Sequence, residues 1–459
     1  MRRVLVVGLD AAVPDLLFNE FRDELPNISE IAEKGVYGRL RSCDPPVTIP
    51  AWACMVTGAT PGELGLYGFK GRRRGSYTEM VLPSSFSVKE RKIWDHVGDV
   101  GGRACVVGVP PTYPPQPIKG WLISGMMTPS TKKNYTYPVS LRWEVERLVG
   151  EYVVDVPFRR SDANSVLREA YEMAEKRFKV VEHLLKSKPW DFFMFVEMGL
   201  DRVQHALWKY FDKEHHLYEP GNEHEDAIRN YYKFLDERIG RLLSLVEGDA
   251  AVLIVSDHGA KRMKGSFCVN QWLAEEGYLK LEEAPDRPVG LEEAKIDWSR
   301  TVAWAWGGPA VQLFINVKGR ERSGAVDPSD YESVREQLAR DLEKIGGPNG
   351  ERWNTKVFRP EEVYPACRGS PPDLIAYLDD LHWRPAESLG HGSLYLSETD
   401  VGPDSAVHDY DGVFVLYDPE AGVRKEASLS IYDVAPLVLE LMGLPTPSNA
   451  KKGLLEKLF

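Results

Sequence analysis

A chain of 459 residues, 43% hydrophobic and 27% charged, is too long for one compact core and too apolar for disorder; it predicts two domains, or a large domain carrying an inserted lobe. Its net charge of −12 excludes a broad nucleic-acid face, which needs a basic patch. The five cysteines at 43, 54, 105, 268 and 367 are scattered and make no CxxC pair, which excludes a thiolate metal site and fits a reducing compartment.

In chain order, residues 4–9 are a short unbroken apolar run, the pattern of a strand buried on both faces. The run is shorter than the ~7–15 residues of a signal peptide's apolar region. No stretch approaches the ~18 apolar residues of a membrane span. The expectation is a cytoplasmic protein with no membrane segment. Residues 15–34 have helical spacing and stop at Gly35. Residues 50–57 read as a helix with Pro50 in its first turn and Gly58 after its end. The basic run of Lys70, Arg72, Arg73 and Arg74 reads either as a solvated loop or as an anion-attracting rim. Strands follow at 103–109 and 121–124, then a long amphipathic helix at 162–185. A buried strand at 192–196 leads into a helix at 202–211, and another long helix spans 223–246. The apolar run 250–255 passes straight into Ser256-Asp257-His258-Gly259.

Strands alternating with helices predict an α/β fold, a mostly parallel central sheet with helices on both faces. After residue 265 the rhythm breaks, with Trp298, Trp304 and Trp306, a Gly-Gly-Pro turn at 307–309, a strand at 311–317 and a helix at 331–345. This segment, 266–370, reads as an inserted cap lobe between core segments 1–265 and 371–459. The core resumes at 373–377 and 412–416, and 430–442 forms a terminal helix.

Open parallel sheets bind ligands beyond the carboxyl ends of their strands. Asp10 follows the first strand there. Asp201 and His205 follow the strand at 192–196, and their i,i+4 spacing puts both on one helix face, suited to one metal. Asp257 and His258 close the apolar run at 250–255, where a charged pair is costly to bury unless it is paired or binds a cation. His408 lies on the loop before the strand at 412–416. Six Asp/His donors divide into two sets of three, and oxygen and imidazole donors suit zinc, with manganese or iron as alternatives. Thr48 stands just ahead of a helix whose N-terminus offers free amides and a positive dipole end to an anion. An alcohol is a poor nucleophile at neutral pH, and a neighbouring metal would activate it. Taken singly, Thr48 and Asp10 read sooner as helix caps and His408 sooner as a surface histidine, while His205 reads either way.

Five segments stand in one order along the chain: Gly8-Leu9-Asp10; residues 47–52 through Thr57-Gly58-Ala59-Thr60-Pro61 to 65–68; Asp201-xxx-His205; 256–259; and His408-xxx-Gly412. Together they resemble the type I phosphodiesterase/nucleotide pyrophosphatase branch of the alkaline-phosphatase superfamily, with its predicted phosphohydrolase/phosphomutase subgroup nearest. The resemblance implies an alkaline-phosphatase-like core and two metals. One would be held by Asp201, His205 and His408, the other by Asp10, Asp257, His258 and the Thr48 oxygen. It implies that Thr48 attacks phosphorus to give a phospho-enzyme that water releases, with a small-molecule phosphoester as substrate. The family's phosphate-binding asparagine is replaced by Phe69. Lys70, Arg72 and His391 are the further candidate substrate contacts, and Lys261, Arg262 and Lys264 follow the Asp257-His258 motif. A cationic clamp from these would favour monoesters over diesters.

A cofactor-independent phosphomutase is the first alternative, but the related phosphoglycerate mutases use serine and insert a large domain soon after it. A sulfatase needs cysteine or serine where this chain has Thr48. A catalytically inactive metal-binding protein is the non-enzymatic alternative.

Overall fold

Unbroken apolar runs become the inner strands of one large sheet. The computed structural model describes residues 1–246, 248–421, 425–447 and 453–459. We label the elements that build the site: β1 (Arg3–Leu9), β2 (Val36–Arg41), α1 (Thr48–Thr57), β3 (Ala104–Val107), β4 (Gly120–Ile123), β5 (Phe192–Glu197), α2 (Gly199–Phe211), β6 (Ala250–Val255) and β7 (Asp411–Tyr417). The strand order is β2-β7-β6-β1-β5-β3-β4, extended at both edges by short strands. Strands β6, β1, β5, β3 and β4 run parallel, whereas β7 is antiparallel to both β6 and β2.

Successive side chains of a strand point to opposite faces. In β1, Leu5, Val7 and Leu9 enter one apolar cluster and Val4 and Val6 another. Helices Ala163–Ser187, α2 and Ala227–Val246 cover the first face; α1 and Val434–Leu441 cover the second. No helix among the described residues is long and apolar enough to cross a membrane.

A second apolar cluster set lies outside this sheet. It is built on a four-stranded antiparallel sheet, Ala303–Trp306, Val311–Ile315, Leu374–Tyr377 and Lys356–Phe358, with helix Tyr331–Glu343. Trp304 and Trp306 are buried in its core.

Three expectations need correction. The helix expected over 15–34 is broken at Leu25. A π-turn at Leu16–Glu20 and a 3-10 turn at Arg22–Glu24 precede an α-helix that opens on Pro26, whose ring and missing N–H prevent a continuous helix through it. Leu374–Tyr377, expected to rejoin the core, pairs with Val311–Ile315 and Lys356–Phe358 in the second lobe. His408 is not on a loop: Ala406–Asp409 is a strand paired antiparallel with Gly259–Arg262, with His408 opposite Ala260.

Candidate metal centre and active site

Register brings the site together. Gly8 of β1 pairs with Val196 of β5 and with Val255 of β6, so the carboxyl ends of three parallel strands share one rim. Asp10 follows β1, Asp201 sits in the first turn of α2 after β5, and Asp257 and His258 follow β6. Strand β7 runs the other way and therefore begins at this rim, which is why the strand just before it delivers His408 beside His258. The two rings stack with centroids 3.7 Å apart. Thr48 is the first residue of α1, whose N-cap Val47 offers no side-chain cap. The amides of Thr48 and Ile49 begin the helix, where N–H groups have no intrahelical acceptor.

One turn along α1, Trp52 donates its Nε1–H to Asp10 Oδ2 at 2.7 Å. The indole reaches there only because residue 8 is glycine: a Cβ at Gly8 would stand 2.6 Å from Trp52 Cη2.

Asp10, Thr48, Asp201, His205, Asp257, His258 and His408 are each at most 5% exposed. Ligating atoms of Asp201, His205 and His408 all lie within 4.8 Å of one another, as do those of Asp10, Asp257 and His258. Thr48 Oγ1 is 3.2 Å from His258 Nε2.

The three acids share one pattern. One oxygen of each is held by a donor: Trp52 Nε1–H on Asp10 Oδ2, Ala11 N–H on Asp257 Oδ1 at 3.2 Å, Arg202 Nη1–H on Asp201 Oδ2 at 2.5 Å. The other oxygen of each, Asp10 Oδ1, Asp257 Oδ2 and Asp201 Oδ1, is buried and accepts no well-formed hydrogen bond; what faces it is a triad histidine nitrogen, His258 Nε2 at 3.1 Å from Asp257 Oδ2 and His205 Nε2 at 3.3 Å from Asp201 Oδ1. Leaving buried carboxylate oxygens unpaired costs several kcal/mol unless a cation meets them.

The histidines complement this. Each Nδ1 faces an oxygen: Asp404 Oδ1 for His205 (2.7 Å), Pro46 O for His408 (2.7 Å) and Gly259 O for His258 (2.9 Å). A carbonyl cannot donate, so His408 and His258 carry their proton on Nδ1 and turn an Nε2 lone pair inward. Ring-orienting acceptors of this kind are characteristic of metal-ligating histidines. The residues thus fit two divalent cations, each with three oxygen or imidazole donors.

Electrostatics of the chain alone follow from crowding. Burial, then the charges of Asp257 and Asp201, push Asp10 well above the usual carboxylate range. Burial does the same to Asp257. Burial would raise Asp201 too, but His205 and Arg202 outweigh it and hold it well below. Burial opposes a charged His205, yet Asp404 and Asp201 lift it to about 9. Burial drops His258 to about 4 and, with His258 and His205 as neighbours, drops His408 well below its ordinary value.

The other candidates are placed differently. Phe69 is half-buried with its ring centroid 6.4 Å from that of His408. Lys70 pairs with Glu387 at 2.5 Å. Arg72 is buried against Trp304 and Phe314 and paired with Glu321 at 2.7 Å; it is a strut of the second lobe, not an exposed rim charge. Lys261, Arg262 and Lys264 pair with Asp409, Asp212 and Asp379. His391 Nε2 meets Ser388 Oγ at 2.7 Å, and that hydroxyl also meets Asp400. His215 is buried with Nε2 on Ser405 O.

The segment 155–159 and Asp404 were missed by sequence reasoning. Asp155 takes two bonds from Arg202 at 2.8 Å, the Phe158 ring stacks on His205 at 4.8 Å, and Arg159 clamps Asp404. The only signal was Asp404 four residues before His408, a spacing without meaning until the strand pairing is known.

The family model described as type I phosphodiesterase/nucleotide pyrophosphatase matches residues 4–411. No curated protein sequence matches the chain. Among solved structures, human ectonucleotide pyrophosphatase/phosphodiesterase 5 is similar at a TM-score of 0.60 and 14% identity, covering 100% of this chain and 99% of that one. The murine protein, as an inactive threonine-to-alanine variant in complex with AMP, is similar at the same TM-score and identity over 100% of both chains.

Proposed function

This chain belongs to the type I phosphodiesterase/nucleotide pyrophosphatase family and is a phosphoric ester hydrolase, and we propose that Thr48 is its nucleophile, with Asp201, His205 and His408 holding one divalent cation and Asp10, Asp257 and His258 a second. The observation that carries this reading is the set of three buried carboxylate oxygens with no hydrogen-bond partner beside three histidines, one of which, His258, lies 3.2 Å from the Thr48 hydroxyl. The donor set favours zinc. When bound, the cations supply the positive charge that favours an ionised alcohol and offsets charge on the phosphoryl oxygens.

The chain's own residues do the rest. Thr48 Oγ1, at the N-terminus of α1, forms the bond to phosphorus, and the ester oxygen leaves with its bonding pair and takes up a proton. The free amides of Thr48 and Ile49 and the helix dipole receive a phosphoryl oxygen. Water then cleaves the phospho-Thr48 ester, freeing phosphate or a phosphomonoester and restoring the alcohol. The AMP complex of an inactive threonine variant of the murine relative supports both the role of threonine and a nucleotide-sized ligand.

We further read the substrate as a diester or pyrophosphate. A monoester brings a second charge to the phosphoryl group. Lys70, Arg72, Lys261, Arg262 and Lys264, the cations that the sequence offers as phosphate contacts, are all engaged with carboxylates. The test is hydrolysis of bis-p-nitrophenyl phosphate against p-nitrophenyl phosphate, with zinc and with manganese. The diester should be the better substrate, and Thr48→Ala should lower kcat about a thousandfold or more. An unchanged rate refutes the nucleophile; preference for the monoester refutes the diester reading.

A further inference from the structure

A second set of buried polar groups lacks partners, and none of it belongs to the two triads. Strands Gly265–Cys268 and Trp383–Ala386 lie parallel, with Ser266 opposite Arg384. Matched residues of paired strands share a face, and the next residue points the other way. Phe267 enters the apolar core of the second lobe, so Ser266 and Arg384 face away from it. Both Arg384 Nε and Ser266 Oγ are buried without a hydrogen-bond partner.

The groups whose charges act on Arg384 are Arg159, Asp404, Asp400 and Glu387. Each acid already has its partners. Asp404 Oδ1 meets His205 Nδ1, and its Oδ2 accepts from Arg159 Nε at 3.1 Å and Nη2 at 3.0 Å. Asp400 accepts from the amides of Glu387 and Ser388 and from the Ser388 hydroxyl. Glu387 pairs with Lys70. Among the described residues no carboxylate is ion-paired with Arg384, whereas Arg72, Arg320 and Arg335, which pack in or against the same lobe, are paired with Glu321, Asp373 and Glu361. Burial and the nearby Arg159 cation lower Arg384 to about 10 in spite of the three acids. Asp404 and Glu387 are paired with other cations and Asp400 is held through Oδ2 by neutral donors, so this guanidinium stands next to another cation with no carboxylate in an ion pair with it.

We propose that Arg384, with Ser266 and Arg159 beside it, forms an anion subsite for a second negatively charged group of the substrate, a carboxylate or phosphate remote from the bond that is broken. A guanidinium fork with an added hydroxyl donor matches either group. Asp404 is the shared wall: it orients His205 on the reaction side and holds Arg159 on the subsite side. The proposal rests on the reading of the triads as the reaction centre, and it narrows the substrate to a phosphoester carrying another anion.

The test uses the metal-loaded full chain with Thr48→Ala, titrated calorimetrically with methyl alkyl phosphodiesters and with methyl ω-carboxyalkyl phosphodiesters of the same chain lengths. The carboxylate should strengthen binding about tenfold at the matching length. Arg384→Gln should erase that difference, and Arg384→Lys, which keeps the charge but loses the fork, should keep only part of it. Equal affinities with Arg384 present, or a difference that survives Arg384→Gln, overturn the proposal. So does free acetate binding as tightly as the linked carboxylate adds, which would make this an independent anion site. Should Arg384→Gln fail to fold, an undiminished difference in Arg384→Lys overturns it. If Thr48→Ala still hydrolyses bis-p-nitrophenyl phosphate, the nucleophile reading fails, while the affinity difference stands or falls by itself.

Discussion

Asp373 in the second lobe and the acids of the metal pocket are both buried, yet the chain treats them in opposite ways. Asp373 Oδ1 accepts from Arg320 Nη1 and Tyr331 Oη, both at 2.7 Å. Its Oδ2 accepts from Arg320 Nη2 at 2.7 Å and Ile315 N at 2.6 Å, and its carbonyl accepts from Arg335 Nε. Asp10, Asp201 and Asp257 each receive a donor on one oxygen only. Burial is therefore common to these acids, and what separates them is how fully their oxygens are satisfied. In the lobe the chain supplies the counter-charge, and in the pocket it supplies the orienting bond and leaves room for a cation.

The contrast breaks most visibly at Asp373. Asp373→Ala removes the acid and strands Arg320, so it should cost about 3–5 kcal/mol in denaturant unfolding. A loss below about 1 kcal/mol would mean that the network is ornamental and the comparison unsound. A smaller effect is expected from Asp404→Asn. Among the described residues Asp404 is the only acid that meets the Nδ1 of a triad histidine; His258 and His408 lean on backbone carbonyls. Losing such a partner typically weakens metal binding about 10–100-fold. Chelator competition should show one of two cations loosening by that factor and the other staying put. Equal loosening of both would show that the triads are not separate.

How far the sequence could be read follows the same line between local and distant partners. β1, β5 and β6 were legible because strands buried on both faces are unbroken apolar runs. Asp10 and Asp257 were legible as the charged residues next to two of those runs, and Asp201 by its i,i+4 spacing to His205 in the helix after the third. The same apolar signature misled at Leu374–Tyr377, since a run of four buried residues looks alike in either sheet. Lys70 and Arg72 read as possible anion contacts because their partners, Glu387 and Glu321, lie hundreds of residues away. Arg159 and Asp404, 245 apart in sequence, were invisible for that reason. Pro26 did carry a usable local signal, and its ring outweighed the helical spacing around it.

The sharpest form of the contrast is a change of sign at Asp257. Without a cation, Asp257 Oδ2 has no donor and lies 3.1 Å from His258 Nε2. That nitrogen is also a lone pair, because the imidazole proton is on Nδ1 and faces the Gly259 carbonyl. Burial raises the Asp257 carboxyl, so below that raised range its proton can bridge to Nε2, and above it, once the group is ionised, two acceptors confront each other. Asp257→Asn keeps the Oδ1 that accepts from Ala11 and places an NH2 group where it can donate to His258 Nε2. In EDTA, at a pH above the raised range of Asp257 where the native carboxylate is ionised, the variant should therefore be more stable than the native chain, by about 1–2 kcal/mol. Cation should reverse the order. The native protein gains stability as RT ln(1 + [M]/Kd), about 4 kcal/mol at a thousandfold excess over Kd, and the variant, with a weakened triad, gains less. Thermal melts of both proteins with and without zinc should cross. A variant that melts lower in EDTA would show that the Asp257 carboxylate stabilises the fold on its own, which is the role this comparison assigns to Asp373 and withholds from the pocket.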